Sequence, residues 1–218
     1  MRFRMAILVM AIGVQPITAA QNGLNAGSAS GAPPQKGTAR LYVNPAESPG
    51  TLRDLCKLSD LVILGIVTSV LPGRQPSPRT IETDAVITVV QTLKGAAPNT
   101  EIAISQSGGT IGEVSLKPVQ YALVQPGERY VLFLKEDNRP QLPAVAGLKR
   151  YRVTGESAGL FYLNGGALQL NAPEPNGTFQ KNYAGASEGT VINLVTDAIA
   201  NRPAPFPPVC TSRTNGCP

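Results

Sequence analysis

The segment Gly155-Glu156-Ser157-Ala158-Gly159 has the Gly-x-Ser-x-Gly form of a serine hydrolase's nucleophile elbow. The chain contains no histidine, however, so no imidazole can activate Ser157 as in a Ser-His-Asp triad. The segment that follows is strand-like, whereas an elbow needs a helix after its serine. A β-turn whose glycines adopt positive φ explains the motif, and the one catalytic alternative is Ser157 with a lysine base such as Lys149.

Two further groups of residues could bind a ligand. Glu82 and Asp84 lie two apart on one face of a predicted strand, where paired carboxylates can do acid-base work or hold Ca²⁺. Because no Asp-rich loop accompanies them, we interpret them as a solvated strand face. The glycine-rich segment 108–112 could cradle a phosphate, but it lacks the lysine and the helix of a P-loop and predicts a bulge or a hairpin bend. We therefore predict no catalytic residue, no cofactor and no metal site.

The N-terminus predicts export. Residues 1–20 have the form of a signal peptide: Arg2 and Arg4 precede an apolar run of about ten residues, and small residues for cleavage follow before Gln21. Such a run is too short to span a bilayer, which needs about 20 residues. No later segment reaches that length, so we expect a secreted or periplasmic chain without stable membrane insertion after cleavage.

The net charge of +5 falls to +3 once Arg2 and Arg4 are removed, which predicts no polyanionic partner. One local cluster, Lys149-Arg150-Tyr151-Arg152, mixes cations with an aromatic ring, as nucleic-acid-binding surfaces do. We interpret it as a strand whose charges lie in water, and expect no nucleic-acid partner.

Three cysteines remain after cleavage, and an exported chain can keep disulfides. Cys210 and Cys217 flank a turn-prone hexapeptide, so our favoured pairing is a local bridge between them. Cys56 would then be a buried thiol in a helix. A bridge from Cys56 to one tail cysteine remains open, because spacing cannot choose between the two pairings.

Composition divides the chain into four parts. Residues 1–20 form the signal peptide, 21–39 a disordered linker, 40–202 a single β-rich domain and 203–218 a proline-rich tail with two cysteines. Within the domain, Leu61–Val67 predicts a strand that is buried on both faces, and the alternation of Ile81–Leu93 predicts a half-buried one.

Other segments complete the predicted architecture. Residues 72–78 predict a loop, 101–106 and 129–135 two strands, and Asn164-Gly165 the turn of a hairpin. A short helix is expected after Ser48, which would cap it ahead of Pro49, and a C-terminal helix after its cap Ser187. The predicted fold class is mainly β: a small antiparallel barrel or sandwich, OB-like, of five to eight strands with a short N-terminal and a C-terminal helix.

The order of several segments resembles a family of exported bacterial β-rich proteins. The matching pieces are Ser59–Val67, Val90–Gly95, Gly108–Gly112, Pro126–Leu134 and the helix after Gly189. The resemblance brings no catalytic residues. A looser similarity links the chain to netrin-like, TIMP-like domains, whose fold is an OB-type barrel. Those domains usually carry an N-terminal Cys-x-Cys, which this chain lacks.

The sequence thus favours a non-catalytic secreted or periplasmic β-domain that binds an unknown protein or envelope component through its loops. Two alternatives remain: a serine hydrolase that uses Ser157 with a lysine base, and a structural protein of the envelope or matrix. The sequence does not indicate an oligomeric state.

Overall fold

The apolar run at Leu61 and the alternating run after it form two long neighbouring strands in the computed structural model of the protein. The structure describes residues 37–41, 49–139, 145, 147–170 and 178–201, which all belong to one compact unit. Eleven strands and two α-helices lie in these ranges. The strands are β1 (Gly37–Leu41), β2 (Leu61–Val70), β3 (Arg74–Ser77), β4 (Thr80–Lys94), β5 (Glu101–Ser107), β6 (Gly109–Ile111), β7 (Val114–Pro118), β8 (Arg129–Glu136), β9 (Arg150–Val153), β10 (Leu160–Asn164) and β11 (Ala167–Gln169).

The mainly β fold class is confirmed. Strands β2 to β5 and β8 to β11 form one sheet in the order β11-β10-β8-β2-β4-β5-β9, with β3 added beside β4. Strand β9 also pairs with β8 over three residue pairs. In the series β8-β2-β4-β5-β9 each strand therefore pairs with the next, and the last also pairs with the first. One edge of β8 is therefore shared: Arg129–Leu132 bond to β10, and Leu134–Glu136 bond to β9.

Alternation along these strands separates two hydrophobic layers. Leu61 and Ile63 of β2 point into the core enclosed by β2, β4, β5, β8 and β9, whereas Val62 and Leu64 point outward. The outward layer is covered by α1 (Leu52–Leu58) and α2 (Glu188–Ile199). Strand β2 is thus buried on both faces, as predicted.

Helix α1 begins later than predicted. Its N-cap is Thr51, whose Oγ1 accepts a hydrogen bond from the Asp54 backbone N–H at 3.1 Å. Pro49 therefore lies ahead of the helix, and the predicted cap Ser48 lies outside the described residues. The C-terminal helix has the predicted cap, because Ser187 Oγ accepts from the Thr190 N–H at 3.2 Å. Asn201 follows α2 with φ +58°, the left-handed conformation that commonly ends helices.

Bulges and short strands account for the other differences. Register shifts between β2 and β4 turn Leu93 onto the outer layer, although the alternation placed it with Ala85 and Ile87. Strand β3 lies inside the predicted loop 72–78. The hairpin turn is Gly165-Gly166, since Asn164 still pairs with Ala167, and both glycines have positive φ as a type I′ turn requires.

A second, three-stranded sheet has the order β1-β7-β6. Strands β6 and β7 form an antiparallel hairpin, and β1 pairs with β7 in parallel. Strand β1 begins at Gly37, so the last three residues of the expected linker are ordered against β7 rather than disordered. Another parallel pairing joins β5 to β9, which periodicity along the chain could not reveal.

Candidate functional site

The Gly155–Gly159 segment is a tight connection between β9 and β10. Gly155 has φ +62° and Glu156 φ +53°, and Glu156–Gly159 then form one 3₁₀ turn. Gly159 is required for space, because a Cβ there would lie 2.5 Å from the Thr154 carbonyl oxygen. The predicted turn is present with a strand after it, but only Gly155 of its two glycines has the expected positive φ. This is not the strand-turn-helix geometry of a nucleophile elbow.

Neither member of the suggested Ser-Lys pair is arranged for catalysis. Ser157 is only 4% exposed, and the Gln180 side chain holds the turn by donating to the carbonyl oxygens of Ser157 at 3.0 Å and Ala158 at 2.9 Å. Lys149 Nζ lies 2.7 Å from a carboxylate oxygen of Glu136. That hydrogen bond raises the pKa of Lys149, which is opposite to what a general base needs.

The interpretation of Glu82 and Asp84 as a solvated strand face is wrong. Asp84 is 4% and Glu82 9% exposed, because β3 and the chain after β8 bring guanidinium groups over them. Arg74 contacts both carboxylates, at 2.7 Å to Glu82 and 2.8 Å to Asp84. Arg139 lies 2.7 Å from Glu82, and Arg150 lies 3.4 Å from Asp84. We call these five side chains, with Ser105 and Asp137, the arginine-carboxylate network.

Charge in this network is balanced by close pairing. Burial opposes ionisation of Asp84, but hydrogen bonds from Arg74 and Ser105 and the nearby guanidinium charges outweigh it and lower its pKa. Asp137 also has a lowered pKa, because Arg139 overcomes the cost of its burial. With their oxygens taken by guanidinium donors, these carboxylates are arranged to stabilise the fold. No cluster of metal-ligating side chains occurs among the described residues.

The four residues of the basic cluster 149–152 lie in different surroundings, some buried in the domain and some at its surface. Arg150 is 8% exposed and belongs to the arginine-carboxylate network, and the Tyr151 side chain packs into the core. Lys149 pairs with Glu136, and Arg152 is exposed. The prediction of charges lying in water holds for Arg152 but is wrong for Arg150, since β9 lies between β5 and β8 rather than at a free edge.

The segment 108–112 opens the β6-β7 hairpin, as predicted. Gly112 has φ +55° in the hairpin turn. Gly108 and Gly109 permit close approach to β4: the Thr83 hydroxyl donates to the Gly108 carbonyl at 2.8 Å, and the Thr83 side chain occupies the space that a Cβ on Gly109 would need. The glycines therefore seat the hairpin against the main sheet.

A cleft of about 330 Å³ separates this hairpin from residues 121–128. Its second wall is braced by Glu128, whose Oε2 accepts from the Gln125 backbone N–H at 2.6 Å and from the Tyr130 hydroxyl at 2.7 Å. The surface of the cleft is largely apolar, with contributions from Leu116, Pro118, Tyr121 and Leu123. Lys117 and Gln125 add polar groups. Such a volume and composition suit a ligand or a partner side chain.

Tyr121 joins this cleft to the Gly155–Gly159 turn, a link that sequence reasoning missed. Its hydroxyl donates to the Ser107 carbonyl at 2.8 Å and is also hydrogen-bonded to Glu156. Burial raises the pKa of Glu156, and the contact with the Tyr121 hydroxyl opposes that rise. Tyr121 and Glu156 lie 35 positions apart in the sequence, so no local pattern could predict this contact.

The cysteine prediction is only partly within the structure. Cys56 lies in α1, is 2% exposed and has its pKa raised to about 11 by burial, so its thiol is neutral and shielded. Cys210 and Cys217 lie outside the described residues, as do the signal peptide and most of the linker. Their pairing stays a prediction.

No known protein-family model matches the chain, and no curated protein matches it in sequence. Within the described ranges, no helix combines the length and the apolar character needed to cross a bilayer.

Proposed function

We propose that the chain is a non-catalytic, secreted or periplasmic β-domain that binds a protein or envelope component through its loops. The observation that carries this proposal is the cleft between the β6-β7 hairpin and residues 121–128. Loops that are positioned by a rigid sheet are where binding residues concentrate.

The cleft walls support binding because hydrogen bonds within the domain hold both of them. Glu128 and Tyr121 fix one wall through hydrogen bonds, and the Thr83–Gly108 contact fixes the other. A preformed site spends little free energy on ordering when a partner arrives. The strand order β8-β2-β4-β5-β9, with its additional β9–β8 pairing, also supports an OB-like architecture. The OB fold is a partly open barrel that often binds through its loops.

The chemistry of the lining indicates the partner. Leu116, Pro118 and Leu123 offer apolar contact, whereas Lys117 and Gln125 offer polar atoms at the rim. An extended protein segment with an apolar anchor fits this combination. A single lysine gives no basic surface for a nucleic acid.

Site-specific photo-cross-linking tests the proposal. A photoreactive phenylalanine analogue at Ala122, an exposed residue of the cleft wall, should form a discrete adduct in cells, and the same group at exposed Val90 serves as the matched control. With the purified adduct partner, Leu123→Arg should weaken binding by about tenfold or more, while Val90→Arg should leave it unchanged. Equal adducts from both positions, or equal affinities of both variants, would exclude the cleft as the site.

The hydrolase alternative makes a different prediction. Stoichiometric labelling by a fluorophosphonate probe that Ser157→Ala abolishes would overturn the non-catalytic proposal. The buried Ser157 and the Lys149–Glu136 pair support the opposite result, which is no labelling of the folded protein. Retention of the chain in extensively washed native envelopes would favour the structural-protein alternative over a released binder.

A further inference from the structure

Strand β1 is attached to the domain by its backbone rather than by its side chains. Gly37 to Arg40 are exposed and Leu41 is half-buried, and no hydrophobic cluster of the described residues includes any of them. Five parallel pairs join β1 to β7, with end bonds from Gly37 N to Glu113 O at 3.3 Å and from Val119 N to Leu41 O at 3.0 Å.

This attachment is weak for two physical reasons. Ordering the backbone of a residue costs about as much free energy as a net hydrogen bond returns, and β1 buries no apolar side chain to add a surplus. In addition, Arg40 lies directly opposite Lys117 in the ladder, and like charges in facing positions repel. By contrast, five of the six residue pairs that join β2 to β8 consist of buried residues.

The edge of β7 binds a strand through backbone hydrogen bonds and not through contacts with particular side chains. The strand that the edge of β7 accepts is residues 37–41 of this chain, and a second copy offers the identical strand with identical contacts. Seven residues separate Leu41 from Pro49 in sequence, a length that can reach at most about 25 Å when extended. That is enough chain for β1 of one copy to pair on another.

We propose that the edge of β7 is a strand-exchange site, at which β1 of one copy pairs with β7 of a second copy. Reciprocal exchange gives a dimer with two-fold symmetry, whereas one-way exchange leaves one β1 and one β7 edge free and lets chains extend. The tether keeps β1 on its own copy in dilute solution, because its effective concentration there is high. This inference does not depend on what occupies the cleft.

Cysteine trapping on the facing pair tests the exchange. Arg40→Cys and Lys117→Cys are made in separate full-length chains that also carry Cys210→Ser and Cys217→Ser, mixed and oxidised. Positions 40 and 117 are exposed and directly paired in register. We expect a disulfide-linked heterodimer whose fraction rises with protein concentration and exceeds, several-fold, that of the control mixture of Arg40→Cys with Gln91→Cys, another exposed position.

A backbone variant separates exchange from random collision. The N–H groups of alternate strand residues face the same edge, so the Ala39 N–H faces β7 as the bonded Gly37 N–H does. Ala39→Pro removes this N–H and should therefore reduce the heterodimer to the control level. A circular dichroism spectrum and melting curve like those of the parent would show that this variant still folds. Heterodimer at the control level in the parent mixture at every concentration, or a yield that Ala39→Pro leaves unchanged, would overturn the proposal.

Discussion

Two regions of this domain bury carboxyl groups and shift their pKa values in opposite directions. In the arginine-carboxylate network, Asp84 is surrounded by guanidinium donors and has a lowered pKa. At the Gly155–Gly159 turn, burial raises the pKa of Glu156; the Tyr121 hydroxyl, Arg152 and Arg139 oppose that rise, and Glu82 adds to it. Burial acts in the same direction on both groups. The strength of the interactions that oppose burial therefore decides the direction of the shift.

The largest effect is expected from Asp84→Ala. It would remove the carboxylate that contacts both the half-buried Arg74 and the buried Arg150, and removal of one partner from a buried ion pair costs about 3–5 kcal/mol. Urea denaturation should show this loss in the free energy of unfolding. Glu136→Ala, which breaks the exposed pair with Lys149, is the matched control and should cost under about 1 kcal/mol. Similar losses for the two variants would show that burial of the network adds nothing.

An intermediate effect is expected from Tyr121→Phe. The change removes the hydroxyl that satisfies the Ser107 carbonyl and contacts Glu156, and an unsatisfied buried polar group costs about 1–3 kcal/mol. The ring and its packing remain. Thermal melting at fixed pH measures the difference, and Tyr162→Phe serves as a control because its side chain is only half-buried. An unchanged melting temperature would contradict the proposed hydrogen-bond link.

The smallest effect, and the most diagnostic, is the sign of the pH dependence. Because the pKa of Glu156 is raised on folding, its contribution to stability is present below the unfolded value of about 4.5 and is lost as pH rises through the folded pKa. Glu156→Gln should therefore gain in relative stability as pH rises from 4 to 8. Asp84 has the opposite sign: its contribution is present above 3.8 and is lost as pH falls through the lowered folded pKa.

Denaturation midpoints of the two variants and the parent, measured from pH 2 to pH 8, decide between these signs. We expect the stability advantage of the parent over Asp84→Asn to shrink below pH 3.8. We expect Glu156→Gln to gain stability relative to the parent as pH rises toward neutral. Parallel curves for both variants would show that folding shifts the two pKa values in the same direction.

The sequence predicted those features whose cause is local. The two-sided burial of β2 follows from its unbroken apolar run, and the cap of α2 follows from Ser187 ahead of an amphipathic stripe. The Gly155–Gly159 turn followed from the lack of histidine and the strand-like run after it. Each signal lies within a few residues of the structure that it specifies.

The remaining features depend on distant partners. Glu82 and Asp84 looked solvated because Arg74 lies in a segment of loop composition and Arg139 lies 57 residues away from Glu82. The bulges that turn Leu93 outward are set by pairing with β2, not by the alternation of β4 itself. The two walls of the cleft, the β6-β7 hairpin and residues 121–128, are likewise brought together by tertiary contacts.

Strand β9 closes the β8-β2-β4-β5-β9 circuit with only four residues, which has a consequence for how fast the chain folds. Its partners in β5 and β8 lie about 50 and about 15 residues earlier, and one of the pairings is parallel. Such non-local pairing slows folding, because the cost of loop closure precedes the contacts that reward it. Until Arg150–Val153 joins, the edges of β5 and of the end of β8 stay open to other chains. The pairing of β9 thus also removes two strand edges at which a nascent domain could aggregate.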